Sequence, residues 1–242
     1  MRRVLETFTP NDSGLTLTEI ARRASMPVSS VHGIAHQLAD EGLLERGRGT
    51  FMLGVKLWEI AIRAPGTFGL RQAALRPMER AHALIGHHVQ LGILSQSEML
   101  YIERLSSDDP VVNFTKIGGR LPWYRTSSGI LLVALGDPDV RARLMDESPR
   151  AGWPSMPMDE ASMRQWLRRV EHNRFVVSEG FVHPDATSIA VPIMSPWNSA
   201  VAALAAVVPS QGTDVEHVVA TLRRAAREAG QGLADTLTRD DA

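Results

Sequence analysis

The sequence predicts an α+β chain in two parts: a small N-terminal domain of three helices and a hairpin, then a larger domain that mixes strands and helices. Three observations carry that expectation. Apolar residues recur at helical spacing three times within the first forty positions, a glycine-rich hairpin with two arginines follows, and from His88 onward the period shifts to strand-like runs in two separated groups. A length of 242 residues suits two domains, and 44% apolar against 22% charged residues is enough to bury a core in each.

The first helix is expected from Met1, Val4, Leu5 and Phe8, which fit i, i+3, i+4, i+7. Pro10-Asn11-Asp12-Ser13-Gly14 then breaks the chain. Thr16 followed by Glu19 is a capping-box pattern opening a second helix with Leu17, Ile20, Ala21 and Ala24 on its apolar face. After Ser25-Met26, Pro27 can begin a third helix, since it lacks the N–H that would be orphaned there, and Val31, Ile34, Ala35 and Leu38 form its inner face. Two amphipathic helices separated by so short a turn match a helix-turn-helix unit. Leu43-Leu44 and Phe51-Met52-Leu53 bracket Arg46-Gly47-Arg48-Gly49-Thr50, a basic hairpin tip that reads as a wing.

With the inner face assigned, Ser29, Ser30, His32, Gly33, His36 and Gln37 are left pointing outward. A recognition helix places its N-terminal residues at base edges in the major groove, where Ser, His and Gln can donate or accept. Ser29 and Ser30 near the helix start can hold a phosphate, with Pro27 ahead of them. Arg46 and Arg48 are placed to reach a minor groove or the backbone, and Arg22 and Arg23 to flank the site as phosphate contacts. Solvation of a helix face is the competing reading for each polar residue taken singly. Residues 1–56 carry seven cations and six acids, so one such domain neutralises few phosphates and needs a dimer on paired, palindromic half-sites of double-stranded DNA. Of the 26 cations in the chain only Lys56 and Lys116 are lysines; Arg suits bidentate contacts, although base composition of the genome gives the same bias.

The run Leu15-Thr-Leu-Thr-Glu-Ile-Ala-Arg-Arg-Ala, then Pro27-Val-Ser-Ser-Val-His, then Leu38-Ala-Asp-Glu-Gly-Leu-Leu-Glu-Arg, resembles the N-terminal domain of IclR-type transcriptional regulators. The wing ending in Phe51-Met-Leu-Gly, the opening Val55-Lys-Leu-Trp, Gly119-Arg-Leu-Pro122 with Thr126 and Gly129, and Ile189-Ala-Val-Pro-Ile are similar to later parts of that family. The resemblance implies a winged helix-turn-helix joined by a linker helix to a GAF/PAS-like α/β effector domain. It also implies a homodimer or tetramer on operator DNA, with a small organic acid changing the DNA affinity. On this basis the domains are expected at 1–54 (winged helix-turn-helix), 55–69 (linker helix) and 70–242 (effector binding and oligomerisation). One departure is Gly33, which stands where the family usually has Arg.

In the linker, Leu57, Ile60 and Ala61 beside Trp58 form an apolar stripe, read either as a dimer contact or as packing on its own domain. Leu70 to Ile85 is patterned as a helix. His88–Leu94 and Met99–Leu105 read as a hairpin, Val111–Ile117 as a further strand, and Thr187–Met194 with Ala200–Val208 as a second hairpin. Helices are expected at Ser127–Leu135, Pro138–Glu147, Asp159–His172 and Asp214–Leu237.

Leu121-Pro-Trp-Tyr-Arg-Thr-Ser-Ser-Gly129 is the informative segment of this half. The dipole and unpaired N–H groups of a helix start favour an anion there. Arg125 can bind a carboxylate through two parallel bonds beside Thr126 and Ser127, with Trp123 or Tyr124 stacking on a ring near Leu121. An ordinary helix cap with an exposed Arg is the alternative. The resemblance adds Ser178 and Ser188 as effector contacts, while Arg174 and Phe181 depart from the family pattern and Ala205 and Val207 replace its paired serines. Lost hydroxyls imply a greasier pocket suited to an aromatic or bulky acid of the benzoate or hydroxybenzoate type.

Other classes find less support. The chain has no Cys, which excludes disulfide frameworks, thiolate zinc sites and cysteine nucleophiles. His82, His87 and His88 do not form HExxH, and GxSxG and P-loop patterns are missing, so neither an enzyme, a metal site nor a cofactor is expected. The start carries no apolar secretion segment, and the longest weakly polar run, Ser199–Pro209, falls short of the roughly 20 residues that span a bilayer. A soluble, cytoplasmic protein without membrane partners is expected. A non-regulatory DNA-binding or protein-interaction module is the alternative function, because net charge is only -1.

Overall fold

The computed structural model describes residues 1–9, 12–63, 65–107, 115–147 and 159–240. The chain divides into two compact units, Met1–Phe68 and Gly69–Ala242.

The first unit opens with α1 (Arg2–Leu5), α2 (Leu17–Ala24) and α3 (Val28–Asp40). Helix α1 is shorter than its periodicity suggests, and just past it both the N–H and the hydroxyl of Thr7 donate to the Val4 carbonyl, at 3.3 and 2.7 Å. Met1 is exposed, while Val4 is buried and Leu5 and Phe8 pack against the same core. The capping box is formed: the Glu19 N–H donates to the Thr16 hydroxyl at 3.3 Å and the Thr16 N–H donates to the Glu19 carboxylate at 2.8 Å. Pro27 is the N-cap of α3 rather than its first helical residue. The wing is β1 (Leu44–Arg46) paired antiparallel with β2 (Phe51–Leu53), and Leu15 bridges Phe51 from the other side. Gly54 lets the returning strand cross Gly42, for a Cβ there would sit 2.1 Å from the Gly42 carbonyl oxygen. Beyond it lies α4 (Val55–Ala61), on which no residue is buried.

The next helix, α5 (Pro65–Ile85), starts five residues before the apolar pattern suggests, since proline fits a helix start. The linker expected as one helix at 55–69 is therefore α4 followed by the first turn of α5. Most of α5 belongs to the second unit, which then contains β3 (His88–Ser95), β4 (Glu98–Leu105), β5 (Arg120–Pro122), a 3-10 turn (Trp123–Arg125) and α6 (Ser127–Leu135). It continues through α7 (Pro138–Glu147), α8 (Glu160–Asn173), β6 (Val176–Glu179), β7 (Ala186–Met194), β8 (Ala200–Pro209) and α9 (Val215–Asp240). The six strands form one antiparallel sheet ordered β5-β4-β3-β8-β7-β6. Of the strand expected at 111–117, the first four residues lie outside the described ones, and 115–117 are not strand. The short strands β5 and β6 were not expected.

Both faces of the sheet are covered. One packs α5 and α9 through Leu91, Val191, Leu204, Ala206, Met78 and Leu222. The other packs α6 and α8 through Ala190, Ala203, Ala205, Leu131 and Leu167. Alternating residues of the Ala-rich strand β8 thus serve two cores, which explains its unbroken weakly polar run. Helix α6 is buried from Ser127 to Ala134, an all-round apolar helix at the centre of its layer. The register of β3 and β4 shifts between Leu91 and Gly92: Leu91 faces Glu103 and Gly92 faces Tyr101, leaving Ile102 as a bulge.

Candidate functional site

On the first unit, α3 carries Ser29, Ser30, His32, Gly33 and Gln37 on its exposed face. Its N-cap, Pro27, has no side chain to satisfy the first-turn N–H groups, so that end is open to an anion. His36 is half-buried: its ring meets Phe51 edge-on at 5.5 Å and His32 at 4.3 Å, which sets the two imidazoles side by side. The arginines divide. Arg22 and Arg48 are exposed, on the last turn of α2 and at the wing tip. Arg46 instead reaches back to Asp40 at 2.6 Å, and Arg23 grips Asp12 at 2.6 and 3.0 Å while donating to the Thr7 carbonyl. The Arg23 guanidinium, with the N–H and hydroxyl of Thr9, holds the Asp12 carboxyl well below the usual carboxylate range. Arg23 is thus committed to tying the α2 layer to the preceding loop, a correction to its expected place as a phosphate contact, and Arg46 is paired with Asp40 through one terminal nitrogen.

A Cβ added to Gly33 would meet nothing within 4 Å. Gly33→Ala is therefore expected to stabilise the first unit by about 1 kcal/mol in chemical denaturation, through helix propensity alone. A loss of stability would mean that this face of α3 is packed.

On the second unit, a narrow cavity opens where α6 meets the sheet. Its lining is Gln90, Tyr101, Thr115, Leu121, Arg125, Thr126, Ser127, Ser178, Phe181, Val182, His183, Ala186, Ser188 and Val207. Sheet register explains the floor: Ser178 pairs with Ser188, Ser188 with Val207 and Val207 with His88, so one row of residues crosses four strands on the same face. At the helix end, the Thr126 hydroxyl accepts the Gly129 N–H at 2.9 Å, and Ser127 and Ser188 share a hydroxyl hydrogen bond of 2.6 Å. Burial pushes the Tyr101 phenol up to about 12, even with hydrogen bonds to Thr126 and Ser128, so it stays a neutral donor. The Asp185 N–H donates to Nδ1 of His183 at 3.3 Å. Among the lining residues Arg125 and His183 are the basic groups, and none is acidic. The lumen is about 30 Å³, enough for a single water, so an organic ligand must widen it.

Eight of the expected effector residues are placed as follows. Leu121, Arg125, Thr126, Ser127, Ser178, Ser188 and Val207 line the cavity, whereas Ala205 is buried beneath α6. Trp123 and Tyr124 do not line it: the 3-10 turn rotates Trp123 into the core, and Tyr124 packs edge-on against it at 5.9 Å. Stacking of either ring on a ligand is corrected accordingly; the wall's aromatic rings are those of Tyr101 and Phe181, the latter braced by Trp166. The pocket is also less greasy than expected, because Tyr101, Thr115 and Gln90 bring polar groups that the serine count overlooked. The signal for Gln90 was available as a lone polar residue inside an apolar strand. Arg174, where the family pattern has Gly, sits in the left-handed region at φ 55 as the C-cap of α8.

No group of three or more His, Asp or Glu that could hold a metal occurs among the described residues. Nor is any described helix long and apolar enough to cross a membrane.

A winged helix-turn-helix unit followed by an α/β unit with a narrow polar cavity at the start of a buried helix is the architecture of a DNA-binding regulator with an effector domain. The comparisons agree: the IclR helix-turn-helix domain matches residues 3–48, and the C-terminal domain of the bacterial transcriptional regulator IclR matches residues 64–233. The chain belongs to the IclR family of transcriptional regulators, a family of DNA-binding proteins and not of enzymes. It is similar to an IclR homologue of Microbacterium hydrocarbonoxydans solved in complex with 4-hydroxybenzoate, at 39% identity and TM-score 0.86 over 96% of each chain. The IclR-type regulator of Alicyclobacillus acidocaldarius shares the fold at TM-score 0.78 and 24% identity, again over 96% of each chain. Among curated proteins, the HTH-type transcriptional regulator XynR of Escherichia coli is 24% identical over 97% of this chain and 94% of its own.

Proposed function

We propose that the protein is a homo-oligomeric regulator that reads a palindromic operator and changes its DNA affinity when an aromatic acid of the 4-hydroxybenzoate type occupies the cavity. The observation that carries the ligand class is the polarity of that cavity: Arg125 and the start of α6 meet there, with the His183 ring beside them and without a carboxylate among the lining residues. A carboxylate ligand gains charge-assisted hydrogen bonds in such a place, whereas a cation gains none. The similar Microbacterium protein bound to 4-hydroxybenzoate supports the aromatic class. On the DNA side, Ser29, Ser30, His32 and Gln37 read or clasp the major groove from α3, with Arg22 and Arg48 on flanking phosphates. The exposed apolar side chains of α4 join two copies, as paired half-sites require.

Titration of the full-length protein onto the promoter beside its own gene, at two salt concentrations and with or without 4-hydroxybenzoate, tests this. Affinity is expected to fall linearly with salt on logarithmic axes and to shift at least five-fold with the acid. Equal affinity for promoter and random DNA would reject the operator reading. Promoter affinity indifferent to the acid would reject the ligand class.

A further inference from the structure

Resting on that reading of the cavity, we infer that Gln90 and Thr115 form a hydroxyl-recognition station that selects a para-substituted aromatic acid over its unsubstituted parent. The Thr115 hydroxyl donates to the Gln90 side-chain carbonyl at 2.6 Å, and both residues are buried while lining the cavity. Thr115 is held from behind, since the Arg104 guanidinium donates to its backbone carbonyl. Arg125, Ser127 and Ser188 line the same cavity from the start of α6 and from β7.

The sheet register sets the separation of the two ends. Ser188 on β7 is paired with Val207 on β8, Val207 with His88 on β3, and Gln90 is two residues further along β3. Two strand spacings and a two-residue rise place Ser188 and Gln90 about 12 Å apart across the floor. That is a main-chain separation, and the Ser188 hydroxyl and the Gln90 amide both line the lumen above it. A benzene ring carrying a carboxylate and a para oxygen fills the space between those two groups, a two- or three-carbon acid is too short, and a meta substituent points away from the line. Val207 supplies an apolar floor between the ends for the ring.

The chemistry at the far end suits a phenol in particular. A phenolic hydroxyl donates one hydrogen bond and accepts others, and a Gln amide beside a Thr hydroxyl offers both donors and acceptors within one patch. A site built to bond a hydroxyl discriminates against the analogue that lacks it more sharply than an apolar wall discriminates by size.

Calorimetric titration of the full-length protein with 4-hydroxybenzoate, 3-hydroxybenzoate and benzoate reads this directly. The wild type is expected to prefer 4-hydroxybenzoate over each of the others by ten-fold or more. In Gln90→Leu and in the near-isosteric Thr115→Val, that ratio is expected to collapse toward one; the valine variant keeps the test usable if the leucine variant does not fold. A wild-type preference that survives in both variants, or equal wild-type affinities for the three acids, overturns the assignment of Gln90 and Thr115. Failure of the wild type to bind any of the three overturns the aromatic-acid reading itself.

Discussion

Trp58→Asp is expected to dissociate the protein into a form that binds its operator at least a hundred-fold more weakly, about 2.7 kcal/mol. Helix α4 buries nothing, and Val55, Trp58 and Ile60 are 64%, 57% and 52% exposed, flanked by exposed Leu53 and Ile62. So continuous an apolar surface on a short helix is the mark of an unmade contact. Within its own unit the indole meets only the edge of Phe68, at 5.8 Å, among the ring contacts described. Burying the rest of this 57%-exposed indole against a second copy removes about 90–140 Å² from water, worth roughly 2–4 kcal/mol before association costs. A carboxylate placed there would have to be desolvated without a partner. Because residues 1–56 carry seven cations against six acids, a single DNA-binding unit holds DNA weakly, and losing the second half-site dominates the result. Sedimentation together with fluorescence anisotropy on operator DNA checks both parts. A variant that remains associated and keeps its affinity would remove α4 from the interface.

Gly129→Ala has the largest expected effect on stability. A Cβ at Gly129 would lie 2.2 Å from the Trp123 carbonyl oxygen and 2.6 Å from its Cα, so the first turn of α6 and the preceding 3-10 turn touch backbone to backbone. Neither side can retreat, since Trp123 is fully buried and α6 is enclosed along its length. Overpacking of flexible side chains costs about 1–3 kcal/mol, and a clash between main chains is expected to exceed about 3 kcal/mol. The displaced turn also carries Arg125 and the Thr126 cap, so acid binding is expected to vanish with the stability. Denaturant unfolding followed by circular dichroism reads the loss. An alanine variant as stable as the wild type would show that α6 does not start against Trp123.

The contrast with Gly33 shows what a sequence can and cannot convey about such positions. Both glycines sit in or at a helix; one faces open space and the other a carbonyl oxygen, and only the three-dimensional neighbours distinguish them. Where local chemistry alone decides, the sequence was sufficient: the Thr16–Glu19 capping box and the apolar faces of α2 and α3 are complete within a few residues. Strands β5 and β6 escaped notice because three- and four-residue edge strands, one ending in proline, carry too few alternations to register. The cavity was legible in part. The stretch from Arg125 to Ser127 declares itself as a helix start, but a 3-10 turn rather than a full helical turn decides that Trp123 points inward. Gln90 and Thr115 come together through sheet register and a distant loop, and no local spacing in the chain encodes their meeting.

Just beyond the bulge at Ile102, strand alternation places two neighbouring charged residues on opposite sides of β4. Arg104 tethers the Thr115 main chain on the cavity side, while the carboxylate of Glu103, almost fully enclosed, clasps Arg71 of α5 at 2.6 Å on the other. A single peptide link therefore separates the wall a ligand must push outward from the rivet that fastens α5 to the sheet. Thr115 and Arg71 are thus held by consecutive residues of β4, and α5 is the element by which the second unit follows the first along the chain.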